Sequence, residues 1–516
     1  MGSWSASTQW DAESNNLGYT PTWQLQMITQ GHHLLPWFDV PTPDMLCSTQ
    51  DCLNHGSMVW LTYYQTAIQN AAALNLPISF VGTQWEQNLY IDPQYFNLPA
   101  STNPNVVAPD GTIQKMVSPF GPIGPWQSVG TTWGSSPMIQ QLQAWYPNPP
   151  LVIFLSNNEA SKLQWTDAEQ DQHYLALYGT GQTDNFKRQV VGQGWIDRYR
   201  ALQQAWRNGL TSATWRNNSK FLGYEAFGPK DFGRWYGWKS YSLYAPNRID
   251  PSPLTWDGGS PSYYLAFNDP ALDDAVWSPQ VEIMNYNFML KEAYQLNPSF
   301  WYELSTWNGC DIYPTDPTYD SDCANLATNI PNYTPDRYTG MVQFGMWLTR
   351  PRVVRDFRGW AEPRSQSQPY FDVLMNAVDR VYTNPTLTSF WRNGQLVANT
   401  SRPHPYQVDI PVEYQSANRM FMLTTNLDPA QPWALSTPIP AYALARVNGI
   451  APQRQWLVYA FAPTGTMNGI QITIPDYQTI TADATVAGAF YLVDEASSGV
   501  TSLGNGDIAS VRAPKR

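Results

Sequence analysis

The sequence predicts a (β/α)₈ barrel over residues 1–384 followed by an antiparallel β-sandwich over residues 385–516. Three observations carry this expectation. Short buried-strand patterns alternate with helical periods through the first three quarters of the chain, as expected for a parallel sheet wrapped by helices. After about Pro385 the pattern becomes strands only, with turn residues at short intervals, which marks a compact sandwich. The 516 residues also exceed one core, since a barrel absorbs roughly 250 and a domain averages about 150.

The apolar runs come in order. His33-Leu34-Leu35-Pro36-Trp37-Phe38 and Pro77-Ile78-Ser79-Phe80-Val81 read as the first two strands, with an amphipathic helix from Met58 to Leu74 between them. Ser136 as cap and Pro137 at the first helical position start a helix to about Trp145, which delivers the chain into the buried run Leu151-Val152-Ile153-Phe154-Leu155. A strand before that run is less distinct. The stretch from Val106 to Gln114 either supplies it or, given Pro109-Asp110-Gly111, forms a hairpin. Further on come a helix near Gln189–Arg207, the strand Phe221–Tyr224, the strand Tyr263–Phe267 and a helix from Ser278 to Leu296, stopped by Asn297-Pro298. The strand Phe300–Glu303, a strand from Met341 to Trp347 and a helix around Tyr370–Tyr382 complete the barrel pattern. The sandwich strands are predicted at 407–413, 419–425, 442–447, 455–462, 470–474 and 489–493.

Charged residues make up only 14% of the chain against 43% hydrophobic ones, but no apolar stretch approaches the roughly 18–20 residues of a spanning helix, so a soluble chain is expected. A net charge of -12 repels a phosphate backbone and argues against nucleic acid. The 24 Trp, 30 Tyr and 19 Phe stand out. Flat amphipathic rings among neutral hydrogen-bonding side chains suit a carbohydrate, which has apolar C–H faces and many hydroxyls. For any single Trp, a place in a Trp-rich core is the better reading. Cys47/Cys52 and Cys310/Cys323 look like two local disulfides, which implies an oxidising compartment, secreted or periplasmic. Three pairings are possible, and the spacings do not favour zinc. Met1-Gly2-Ser3 leads directly into polar sequence, so a secreted protein would be present in mature form.

Active sites of α/β barrels lie at the C-terminal ends of the strands, so polar residues after buried runs are the candidates. Glu86, Glu159, Glu225 and Glu303 meet this condition. Glycoside cleavage needs two carboxyl groups flanking the bond, one protonated and one ionised. Each also has a plainer reading, as a neighbour of a helix cap or as the partner of a buried cation. Arg350, Arg352 and Arg355 follow the predicted last strand, where their guanidinium forks suit a sulfate, a carboxylate or the nucleophile itself, or else plain salt bridges. Trp85, Trp165, Trp235, Trp238, Trp307 and Trp347 fall near predicted strand ends and are candidate sugar-stacking rings.

Asn158-Glu159 at the end of one strand, with Glu303 at the end of the third strand after it, resembles the clan-A retaining glycoside hydrolases. The resemblance covers roughly residues 20–380 and implies that Leu151 opens the fourth barrel strand and Phe300 the seventh. It further implies Glu159 as acid/base, Asn158 as the residue bonding the sugar 2-hydroxyl and Glu303 as nucleophile. Ala160 stands where many clan members carry Pro. Ser156-Asn157-Asn158-Glu159 and the all-β tail are similar to the β-agarases and β-porphyranases, which ranks galactan substrates first.

No metal spacing, Gly-x-Gly-x-x-Gly, phosphate loop or Gly-x-Ser-x-Gly elbow is present, so neither a metal nor a cofactor is expected. The reading is a retaining β-glycosidase acting on a polysaccharide. Its rival is a non-catalytic carbohydrate-binding or adhesion protein on the same scaffold. A polysaccharide lyase ranks third, because it wants a Tyr/His or Lys base.

Overall fold

The computed structural model describes residues 21–41, 43, 57–82, 85–156, 160–223, 252–260, 262–264, 294, 296–307, 334–356, 364–399, 421–429 and 439–505. Its centre is a curled parallel sheet built from β1 (Trp37–Asp39), β2 (Ile78–Gly82), β5 (Val152–Ser156), β6 (Ser219–Gly223), β7 (Gly258–Gly259), β9 (Trp301–Trp307) and β10 (Val353–Asp356), paired in that order. β8 (Ser262–Tyr264) pairs with β9 beyond the end of β7. β3 (Asn105–Val107) and β4 (Ile113–Val117) form a separate antiparallel hairpin.

β2 and β5 are nearly continuous apolar runs because both faces are covered. Outward residues pack under helices: Phe80 stacks on Phe154 at 5.6 Å, and Phe154 on Phe221 at 5.2 Å. Inward residues form a small apolar interior that includes Leu35, Val81, Ile153, Leu155, Leu222 and Val353. Val353 of the last strand thereby meets side chains from the first strands, which is what the curl accomplishes.

The structure departs from the sequence pattern in several places. β2 pairs directly with β5, from Ile78 opposite Val152 to Gly82 opposite Ser156, so no strand lies between them and residues 105–117 are the hairpin. Val152–Ser156 is therefore the third sheet position among the described residues rather than the fourth, and β9 lies three places beyond it. The predicted strand 341–347 is part of a helix, Pro335–Thr349. That helix is buried on every side, from Arg337 to Thr349, and so carries no amphipathic stripe. The last parallel strand is instead β10. Residues 385–393 also form a helix, Pro385–Asn393, capped by Asn384. By contrast, Ser136 caps Pro137–Trp145 as its sequence suggests, accepting from the Ile139 N–H. The predicted helix 278–296 apart from Tyr294 and Leu296, the strand 407–413 and all four cysteines lie outside the described residues.

The C-terminal region has two antiparallel sheets. One joins β11 (Gln395–Leu396), β13 (Tyr442–Asn448), β14 (Gln455–Phe461), β17 (Ala489–Asp494) and β18 (Gly499–Asn505); the other joins β12 (Thr424–Thr425), β15 (Met467–Thr473) and β16 (Thr479–Ala484). Alternation along β14 explains its unbroken apolar run. Trp456, Val458 and Ala460 face the three-stranded sheet, while Leu457, Tyr459 and Phe461 join the core around helix Pro335–Thr349. Contact with that helix is close: a Cβ on Gly340 would stand 2.3 Å from the Val486 carbonyl oxygen. The buried Arg446 of β13 closes the helix C-terminus, donating to the carbonyls of Trp347 at 2.7 Å and Leu348 at 3.0 Å.

At the seam between the chain entering β1 and helix Arg364–Thr383, Asp379 accepts from His32 Nδ1 at 2.7 Å, His33 Nδ1 at 2.8 Å and the His33 backbone N–H at 3.0 Å. His33 stacks on Tyr382 at 3.7 Å. The bond to Asp379 holds the His32 imidazole above its ordinary value, against the opposing effect of burial. Burial works to raise the Asp379 carboxyl, but the two histidines hold it below its ordinary range.

Deleting the chain from Thr386 onward strips the cover from helix Pro335–Thr349 and should give insoluble protein; a soluble truncated chain with an unchanged Tm would contradict this. The seam makes stability depend on pH. A raised imidazole contributes fully below its free value of 6.5 and loses that contribution as pH rises through the folded value. The lowered Asp379 contributes above its free value of 3.8 and is lost as pH falls through the folded value. The Tm difference between the unaltered protein and Asp379→Asn should therefore be largest between pH 3.8 and 6.5. It should shrink as pH leaves that window in either direction, and a difference independent of pH would show that the seam does not titrate.

Candidate active site

Trp301, Glu303 and Ser305 share one face of β9 by strand alternation, and Glu303 turns inward. Its environment is closed, with Glu303 fully buried and Arg355 at 1% exposure. Arg355 comes from the neighbouring strand β10. Its Nε donates to Glu303 Oε2, and its Nη2 donates to Oε1 at 3.0 Å, a bidentate fork. Trp301 Nε1 donates to the same Oε1 at 2.9 Å. Arg355 Nη2 also reaches Ser79 Oγ of β2 at 2.8 Å, and its guanidinium carbon lies 5.6 Å from the Trp37 ring centre. Four strands thus converge on one ion pair.

Glu303 is the third residue of a seven-residue strand rather than its last, because pairing with β10 and β8 carries β9 on to Trp307. The register places it relative to β5. Leu155, Leu222, Gly258 and Trp301 are successive partners across β5, β6, β7 and β9, and Glu303 stands two residues beyond that row. Ser156 ends β5 just before Glu159. Among the described residues, Ser156 Oγ, Ser260 Oγ, Trp37 Nε1 and Arg355 Nη1 are buried polar atoms without a hydrogen-bond partner.

Other expected site residues lie elsewhere. Glu86 sits in the 3₁₀ turn Trp85–Gln87, which carries it into the helical layer; there it accepts from Tyr199 Oη at 2.8 Å and lies 3.7 Å from Lys162 Nζ. Trp85 is buried to 1% exposure, with its ring 4.6 Å from Trp206, and offers no face to a sugar. Trp347 lies inside helix Pro335–Thr349, 5.2 Å from Trp391. Arg350 ends that helix in a left-handed conformation and donates to the carbonyls of Trp391 and Gly394, so it ties helices together rather than facing the interior. Arg352 lies 5.8 Å from the Trp301 ring centre, and Trp165 lies under Arg188 at 4.2 Å. Of the three arginines, Arg355 alone meets Glu303, one of the partners its position suggests. Asn158, Glu159, Glu225, Trp235 and Trp238 lie outside the described residues, as does the Trp307 side chain.

Sequence reasoning misses Ser79, Trp37 and Trp301 as members of this cluster. Trp301 is within reach of it, since positions two apart on a strand share a face. Ser79 is not, because 276 residues separate it from Arg355.

No protein-family model matches the chain. No curated protein matches it either. Among solved structures it is similar to a crystal structure of an endo-β-mannanase/endo-β-glucanase from Prevotella bryantii, with 8% identity, a TM-score of 0.33 and coverage of 71% of this chain. The match spans 44% of that protein's chain.

Removing one partner of the buried pair strands the other. Arg355→Met should cost about 3–5 kcal/mol in urea unfolding, while Arg355→Met combined with Glu303→Leu should cost less than the two single changes added together. Strict additivity would show that the two groups are not coupled.

Proposed function

We propose that this chain is a retaining glycoside hydrolase that cleaves β-glycosidic bonds of a polysaccharide, with agarose- and porphyran-type galactans ranked first. The observation that carries the proposal is the Glu303 carboxylate, turned into the curled sheet and aimed by donors on both oxygens. A nucleophile needs this kind of fixed orientation toward the anomeric carbon. The Asn158-Glu159 pair begins two residues past the end of β5, and Glu159 is only three residues past Ser156, a tether of about 10 Å.

In the first step Glu159 gives its proton to the glycosidic oxygen as the C–O bond breaks, and a Glu303 oxygen bonds to the anomeric carbon. In the second, Glu159 takes a proton from water, whose oxygen displaces Glu303 and restores the original configuration. Arg355 holds the second carboxylate oxygen while the first attacks, and takes up the charge again when Glu303 leaves. No cofactor enters either step. The two predicted disulfides make the proposed setting secreted or periplasmic.

The test is Glu159→Gln and Glu303→Gln, with near-UV circular dichroism to check the fold. Each should lower reducing-end release from a panel of neutral and sulfated β-linked polysaccharides by about 10²-fold or more. An aryl glycoside with a good leaving group should restore the first step in Glu159→Gln alone, because that step then needs no acid. More than a few per cent of activity in either folded variant removes that residue from the assignment. If Glu303→Gln unfolds instead, trapping of the covalent intermediate on Glu303 in the unaltered enzyme decides the nucleophile.

A further inference from the structure

On the outer helical layer, away from the curled sheet's interior, a cavity of about 440 Å³ opens between the loop at Pro119–Phe120, the end of helix Gln172–Tyr178 and one face of helix Asp184–Gly209. This volume lies within the roughly 300–1,000 Å³ of small-ligand sites. Its two walls differ in chemistry. Phe120, Tyr178 and Phe186 supply rings, with Phe186 5.2 Å from Tyr178 and Tyr178 5.9 Å from Phe120. Gln189, Gln193 and Asp197 supply exposed amides and a carboxylate at successive four-residue steps along the helix, which places them in one row. Gln193 Nε2 donates to Asp197 Oδ1 at 2.8 Å, so the row is already ordered.

The base of the cavity is rigid. Arg198 is buried and donates from Nε to the Gly121 carbonyl at 2.9 Å and from Nη1 to the Gly194 carbonyl at 3.2 Å, locking loop to helix. A Cβ on Gly194 would lie 2.4 Å from the Pro119 carbonyl oxygen, so glycine there permits the close approach. At the rim, Leu177 is 61% and Ile123 38% exposed, apolar surface that a bound ligand would cover.

We infer that this cavity is a second carbohydrate site, taking one or two pyranose units of a neutral polysaccharide chain outside the catalytic centre. A pyranose has an apolar C–H face that fits the Tyr178 and Phe186 rings, and hydroxyls spaced to bond the Gln189, Gln193 and Asp197 row. The inference extends the proposed function but does not need catalysis, because binding alone is read out.

The experiment is affinity electrophoresis of the full chain through gels containing agarose-derived soluble galactan or, separately, glucomannan, each run in the Glu159→Gln background so that the polymer stays intact. Retardation should fall at least about fivefold with Phe186→Ala and with the surface double substitution Gln193→Ala/Asp197→Ala, the latter leaving the core untouched. Hydrolysis of a short aryl glycoside by the same cavity variants in an otherwise unaltered chain should not change. No retardation in either polymer, or retardation undiminished in the double variant, overturns the inference. Retardation lost in the cavity variants while the Glu159 and Glu303 variants stay active would sink the catalytic assignment and leave the second site standing.

Discussion

The curled parallel sheet depends on the bidentate bond between Arg355 and Glu303, because both groups are enclosed and removing each ion from water costs several kcal/mol. The pair survives because its neighbours complete it. Trp301 adds a donor, Ser79 accepts from the guanidinium across the interior, and Trp37 offers a ring face. Since β10 is the last strand and β2 the second, one arginine draws together the two ends of the sheet. Curling brings the pair into an apolar interior, and the pair in turn holds the curl. This rigidity is what the proposed nucleophile requires, and it gives Glu303 a structural part whatever its chemistry.

The strand that carries Arg355 is placed from outside by helix Pro335–Thr349. The Tyr338 hydroxyl lies 2.8 Å from Thr306 Oγ1 of β9 and 2.9 Å from Asp356 Oδ1 of β10, so the helix registers both strands of the pair. On its far side the same helix meets Tyr442, Phe461 and Phe490 of the five-stranded sheet. The C-terminal region therefore shares a core with the parallel sheet. Arg446, at the helix end, satisfies carbonyls that would otherwise be buried without donors.

The aromatic excess divides between packing and recognition. Trp85, Trp126, Trp206, Trp215, Trp347 and Trp456 are fully buried, the last between the two antiparallel sheets, so their number reflects core packing and says nothing about sugars. Rings that line open space, such as Tyr178 and Phe186 beside amides and a carboxylate, are the ones whose chemistry suits a glycan. Abundance is a weaker guide than placement.

Much of this is legible in the sequence where a local physical rule operates. Val152–Ser156 and Gln455–Phe461 read as strands from unbroken apolar runs, Ser136-Pro137 marks a helix start, and Glu303 is a candidate because it follows a buried run. Helix Pro335–Thr349 is not legible, because periodicity comes from the contrast between a wet and a dry face, and this helix has no wet face. For the same reason Trp85 and Trp347 look like platforms: a ring near an element's end carries no local sign of what covers it. Residue types, and the faces they share within one element, are set by the chain alone. That Arg355 and not Arg350 meets Glu303 is set by the assembled fold, since the left-handed turn at Arg350 and the inward parity of β10 depend on strands and helices hundreds of residues apart coming together.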